Sequence, residues 1–137
     1  MYLAIDPGGK RTGWAYFDGE GKLVSQGIVD TGEDFKDLAK MLRNMSPTTI
    51  VMEKFRLYPF KSQAQAWSAL REVQVAGAVK MFAELNATEI VEQPANILGI
   101  GFKFQGKTKP AHPADDMSAR AHGIYYLVTN NVIKEMG

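Results

Sequence analysis

The chain has 137 residues, 45% hydrophobic and 23% charged, which suits one compact domain spanning 1–137 and leaves no room for a second. It holds no cysteine, so disulfides, zinc–thiolate sites, iron–sulfur clusters and thiol nucleophiles are excluded. The formal net charge is only +1, so a nucleic-acid binder of this sequence must gather its lysines and arginines locally.

The opening MYLAIDPGGKRTG lacks the basic start and long apolar core of a secretory signal. No apolar run approaches the ~18 residues of a membrane span. A cytoplasmic protein without membrane attachment is expected. Residues 2–6 (YLAID) and 12–18 (TGWAYFD) read as strands separated by the turn PGGKR. The cluster DGEGK at 18–22 turns the chain into a third strand within KLVSQGIVDT. From Glu33 to Met45, the spacing of Phe35, Leu38, Leu42 and Met45 predicts an amphipathic helix closed by Pro47. TIVMEK at 49–54 reads as a buried strand, and residues 62–85 form the longest helix, rich in helix formers and free of proline. EIVE at 89–92 is a short strand, PANILG a weak helical turn, and GFKFQGKTKPAH a loop. The terminal helix is expected to begin at Pro113 and to run to the end. This order predicts a sheet with antiparallel and parallel strands and helices on its faces.

Asp6 ends the first strand, Glu53 ends the fourth, and Asp115 and Asp116 open the terminal helix. If the first and fourth strands are neighbours, Asp6 and Glu53 project at one sheet edge. Converging carboxylates make an oxygen site for a hard divalent cation such as magnesium, and two such ions can drive phosphodiester hydrolysis. Each acid by itself has a plainer explanation: strand-end acids are solvated, and acids at a helix start complement the macrodipole. Asp6 and Glu53 stand apart because each ends a run that otherwise looks buried.

These residues carry a family resemblance. AIDPGGKRTGWAYFD resembles the first motif of RuvC-like Holliday-junction resolvases, an Asp-Pro-Gly turn followed by a Thr-Gly-Trp/Tyr-Ala strand. VMEKF is similar to the family's second acidic strand, REVQVAGAVKMFAELN with EIVEQPANILGI to its long helix, next strand and proline turn, and HPADDMSARAHGIYYL to its terminal helix. The resemblance spans nearly the whole chain in order. It implies an RNase H-like α/β fold, with a five-stranded mixed sheet of three antiparallel strands then two parallel ones, and helices on both faces. It further implies a magnesium-dependent endonuclease, with manganese able to substitute, that resolves four-way and other branched DNA as a homodimer. The short chain resembles phage versions.

Carried over residue by residue, the first metal ligand falls on Asp6, the second on Glu53 and the last on Asp116, reading DMSA against the family's Asp-Ala-Leu-Ala. The chain departs from the pattern one turn earlier, where the family's further acid is replaced by His112 and Pro113 and the extra acid is Asp115. Neighbouring helical residues point about 100° apart, so the sequence leaves open which of Asp115 and Asp116 ligates metal. His112 is a candidate for contacting phosphate or a metal-bound water, or is simply an exposed loop histidine.

Lys54, Arg56 and Lys61 flank Glu53, with Phe55, Tyr58 and Phe60 interleaved, a composition suited to gripping phosphates and stacking on unpaired bases. Lys103, Lys107 and Lys109 lie on the stretch leading to the acidic helix and are further candidates for DNA contact. Gly77, between Ala76 and Ala78, permits close helix approach, either to the sheet or to a second subunit. The main rival is a YqgF-type nuclease acting on ribosomal RNA precursors, whose opening strand pair DPGGKRTG also resembles. That family carries Gly-Leu-Pro after its fourth strand, where this chain has Glu53-Lys-Phe.

Overall fold

The computed structural model describes residues 1–55 and 63–134, with the backbone alone for 63–68. Five strands, β1 (Tyr2–Asp6), β2 (Arg11–Phe17), β3 (Leu23–Asp30), β4 (Thr49–Glu53) and β5 (Glu89–Gln93), form one sheet in the order β3-β2-β1-β4-β5. The first three pair antiparallel, and β4 and β5 add on in parallel with β1. The mixed sheet expected from the order of elements is the one observed.

Strand alternation sorts the core into two layers. Leu3, Ile5, Ile50 and Met52 point to the face covered by α1 (Lys36–Met45) and α2 (Gln63–Leu85), where Leu38, Leu42, Val75 and Val79 meet them. Ala4, Ala15, Phe17 and Val51 point the other way, to Ala119, Ile124 and Leu127 of α4 (Asp115–Thr129). Full burial of each large apolar side chain here stabilises by roughly 1.5–3 kcal/mol. The parity has a direct consequence: Asp6 lies two residues after Ala4, and Glu53 two after Val51, so both acids face α4.

Local chemistry sets the boundaries. Asp18 closes the β2–β3 turn by accepting hydrogen bonds from the backbone N–H groups of Glu20 and Lys22 at 2.9 Å each, while Gly21 supplies a φ of 84°. α1 starts at Lys36 rather than Glu33 and ends at Met45, capped by Ser46, whose φ of 42° is left-handed and whose N–H reaches back to the Leu42 carbonyl.

Two further elements differ from the sequence reading. GFKF, expected in a loop, belongs partly to α3 (Leu98–Lys103), which follows a single 3-10 turn at Ala95–Ile97. Burial of Ile97 and Phe102, and the close approach of Gly101 to the Ala121 backbone of α4, outweigh the poor helix propensity of two glycines. α4 begins at Asp115 and not at Pro113, because Ala114 is extended, with ψ 151°. It also stops at Thr129, short of the expected run to the end. There Asn131 adopts φ 60°, the Asn131 N–H bonds the Val128 carbonyl and the Val132 N–H bonds the Leu127 carbonyl, the paired bonds of a Schellman motif.

Among the described residues no helix is long and apolar enough to cross a membrane.

Candidate active site

The strand register sets Gln93, Glu53, Asp6 and Gly13 at one level of the sheet. Gln93 is opposite Glu53, Met52 is opposite Ile5, and Asp6 is opposite Gly13. α4 crosses this level, and its first turn rests on Gly13. A Cβ at Gly13 would run into the Asp115 backbone carbonyl, so the glycine is what lets the helix start come down beside Asp6.

The turn after Asp6 is pinned from below. The Thr31 hydroxyl donates to the Gly8 carbonyl at 2.8 Å, the Gly8 N–H reaches the Thr12 hydroxyl at 3.3 Å, and the two buried hydroxyls meet at 3.1 Å. Arg71 of α2 donates to the Thr31 carbonyl at 3.0 Å while stacking over Phe35 at 4.3 Å. Asp6 therefore sits on a braced corner.

Asp6 and Glu53 are in contact. Burial, then the charge of Glu53 and a hydrogen bond with it, push the Asp6 carboxyl up to about 8, against a smaller opposing effect of a hydrogen bond with Ser118. Burial also raises Glu53, with the charge of Glu72 adding to the effect, while the bond from Asp6 opposes it. Two buried carboxyls side by side cannot both ionise without a compensating charge, so in the metal-free chain they share a proton held mainly on Asp6. The His122 ring is fully buried, with Nε2 3.1 Å from Glu53 Oε1. Its burial pulls it down to about 4, against the pull of Asp6, so it is neutral at neutral pH.

A pH dependence of stability follows. Asp6, raised in the fold, loses stabilisation as pH rises from the unfolded value of 3.8 to about 8. His122, depressed in the fold, gains it as pH rises from about 4 to 6.5. The two offset each other below pH 6.5, and above it the Asp6 loss stands alone. Thermal melts without divalent metal should be nearly flat between pH 4.5 and 6.5 in these contributions. They should then decline toward pH 8 by at most about 2 kcal/mol, at about 1.4 kcal/mol per proton and pH unit. Asp6→Asn should remove most of that decline; an unchanged slope would contradict the shared proton.

The terminal-helix acids diverge. Asp115 lies within about 60° of Ser118 and about 20° of His122 around the helix axis, whereas Asp116 is more than 100° from either. Asp115 is half exposed and 4.0 Å from Arg11 Nε. Asp116 is turned to β3, where it accepts from Gln26 Nε2 at 2.9 Å, and Arg120 holds the other end of that amide at 3.4 Å. Among the described residues no group of three acids or histidines is already gathered as a metal site.

His112 is exposed in the segment before α4. Lys54 is exposed just past β4, with its backbone N–H bonded to the Gln93 carbonyl at 2.7 Å. Lys103 ends α3, and Lys107 and Lys109 follow it, all exposed; among the described residues no ion pair ties them to the acids. Arg56, Tyr58, Phe60 and Lys61 lie outside the described residues.

Sequence reasoning did not single out Gln93, Ser118, His122 or Glu72. A signal for the middle two existed: Ser118 and His122 are four residues apart and polar, on a helix whose buried residues are otherwise small and apolar.

A mixed sheet in the order β3-β2-β1-β4-β5, with helices on both faces, is the RNase H-like fold. In sequence and in fold the chain resembles the RuvC-like Holliday-junction resolvases. It is 27% identical to the crossover junction endodeoxyribonuclease RuvC of Prochlorococcus marinus (strain MIT 9301), over 69% of this chain and 66% of that protein, just under two thirds of the relative's length. It superposes on Thermus thermophilus RuvC in complex with a Holliday junction substrate with a TM-score of 0.67, at 13% identity, over 96% of each chain. The fowlpox virus resolvase in complex with Holliday junction DNA superposes with a TM-score of 0.65, at 17% identity, over 94% of this chain and 99% of that one. No family model matches the chain.

Proposed function

We propose that the chain is a cytoplasmic, metal-dependent, structure-specific endodeoxyribonuclease that resolves four-way DNA junctions. The observation that carries this reading is the Asp6–Glu53 pair, two carboxyls hydrogen-bonded to one another at neighbouring strand ends and largely withdrawn from water. An all-oxygen, doubly acidic donor set whose charge needs neutralising fits a hard divalent cation. Asp6 and Glu53 would hold it, with Asp115 as the third acid because it shares the helix face of Ser118 and His122. Magnesium, with manganese as a substitute, would supply Lewis-acid stabilisation of the charge that builds on the scissile phosphate.

The chain's own residues do the rest. The braced Gly8 turn and the Gly13 contact hold Asp6 and the start of α4 in place. Lys54, Lys103, Lys107 and Lys109 are the exposed cations we assign to the DNA backbone, together with Arg56, Tyr58 and Lys61. Symmetric cutting of two opposed strands calls for two sites. A second copy has a surface to use on α2: Leu70 (55% exposed), Val73, Gly77, Met81 (60%) and Leu85 (76%) recur at three- and four-residue spacing. Among the described residues a Cβ at Gly77 would meet nothing within 4 Å, so this glycine does not serve packing against them.

The deciding experiment offers labelled four-way, three-way and linear DNA, and structured RNA, with magnesium. Paired nicks in opposed strands of the four-way junction are expected, with linear duplex left intact. Cleavage of RNA alone, or equal cleavage of linear duplex, would overturn the reading.

A further inference from the structure

Behind Glu53 lies a chain of hydrogen bonds whose directions are forced one after another. The His122 backbone carbonyl can only accept, and Gln93 presents its amide nitrogen to it at 3.0 Å. Turned over, the Gln93 amide would set oxygen against oxygen. The same amide nitrogen is 3.1 Å from His122 Nδ1, and because an amide nitrogen only donates, Nδ1 must be the unprotonated acceptor. The ring proton of a neutral imidazole is then on Nε2, which faces Glu53 Oε1 at 3.1 Å. Gln93 is 6% exposed and His122 0%, so water does not compete for the two bonds between them.

We propose that Gln93 locks His122 in its Nε2–H tautomer, and that His122 thereby acts as a positioning residue that fixes the Glu53 carboxylate for the cation. The inference rests on the metal-dependent function proposed for the acidic pair. The other tautomer would aim a lone pair at the carboxylate and push it away. An imidazolium would hold it but cancel one of the two negative charges the cation needs. The neutral Nε2–H form alone orients Glu53 through one oxygen and leaves the charge of the pair intact. Partners of this kind behind a ligating group typically change metal affinity about 10–100-fold. Strand register puts Gln93 within reach, since it is paired with Glu53 across β4 and β5 and its side chain extends to the same α4 face.

The test uses the full chain and manganese as the probe. Nitrogen-15 NMR of the His122 ring in the wild type is expected to show a protonated Nε2 and an unprotonated Nδ1, and Gln93→Met to give mixed tautomers. Calorimetric titration should show manganese bound about tenfold more weakly by Gln93→Met, and more weakly still by His122→Phe. Cleavage by Gln93→Met should recover toward the wild-type rate at saturating metal, a split a merely structural defect would not produce. Gln93→Met keeps the buried ring and the length of the side chain, so it remains informative if His122→Phe fails to fold. A protonated Nδ1 in the wild type, or unchanged manganese binding by folded Gln93→Met, would overturn the proposal alone. A wild-type protein that binds no manganese would overturn the nuclease reading, and this one with it.

Discussion

Asp6→Asn and Glu53→Gln are each expected to lower junction cleavage by at least about 10³-fold at saturating magnesium. Metal stabilisation of the charge developing on the phosphate is worth several kcal/mol, and about 1.4 kcal/mol is tenfold in rate. Junction binding should persist, because the affinity of such an interface comes from cations on phosphates, and neither change removes a cation or adds a negative charge. Stability separates this outcome from simple unfolding. The metal-free Asp6 carboxyl is pushed up to about 8 by burial and by Glu53, so an uncharged isostere relieves repulsion. Asp6→Asn should melt no lower than the wild type at pH 8 while being inactive. Activity and stability conflict at such positions. Cleavage at wild-type rates by either variant, measured on labelled four-way junctions, would remove the acidic pair from the chemistry.

Asp115→Asn and Asp116→Asn should part company, although the residues are adjacent and identical in type. Asp115→Asn is expected to reduce cleavage by about 10²–10³-fold, on the same rate arithmetic for losing a charged ligand. Asp116→Asn should stay within a few-fold of the wild type. Its amide can still accept from Gln26, whose Nε2 is 2.9 Å from the Asp116 carboxylate. Asp116→Ala, which leaves that amide without its acceptor, should cost about 1 kcal/mol of stability through the Gln26–Arg120 link between β3 and α4. Melts and single-turnover rates on the three variants read both effects. The reverse order of the two Asn variants would return the ligand role to Asp116, the assignment the family pattern implies.

Much of the frame was legible in the sequence because it depends on short-range regularities. Alternation and turn chemistry outline β1 to β3, the 3–4 spacing of Leu38 and Leu42 marks α1, and an apolar run ending in an acid marks β1 and β4. The helix at Leu98–Lys103 was hidden because two glycines argue against a helix locally, and only contact with α4 overrides them. The early end of α4 was hidden for a related reason: a left-handed Asn131 is decided by which residue, here Val132, finds a place against the core.

Within the candidate site the division is the same. Residue type and position along the chain single out Asp6, Glu53, Asp115 and Asp116 as the acids to consider. Their contact, their shared proton and the turning of Asp116 toward Gln26 depend on distances between elements far apart in sequence. Gln93 and His122 show this most plainly. Each is an ordinary polar residue in its own segment, 29 positions from the other. The parallel pairing of β4 with β5 and the seating of α4 on Gly13 bring them behind Glu53. The sequence by itself determined which strands end in carboxylates and which face of each strand they occupy, because side-chain parity is a local property of the chain. Only the tertiary structure decided which polar groups stand behind those carboxylates and in what protonation state, because burial and neighbouring charge are properties of the assembled layers.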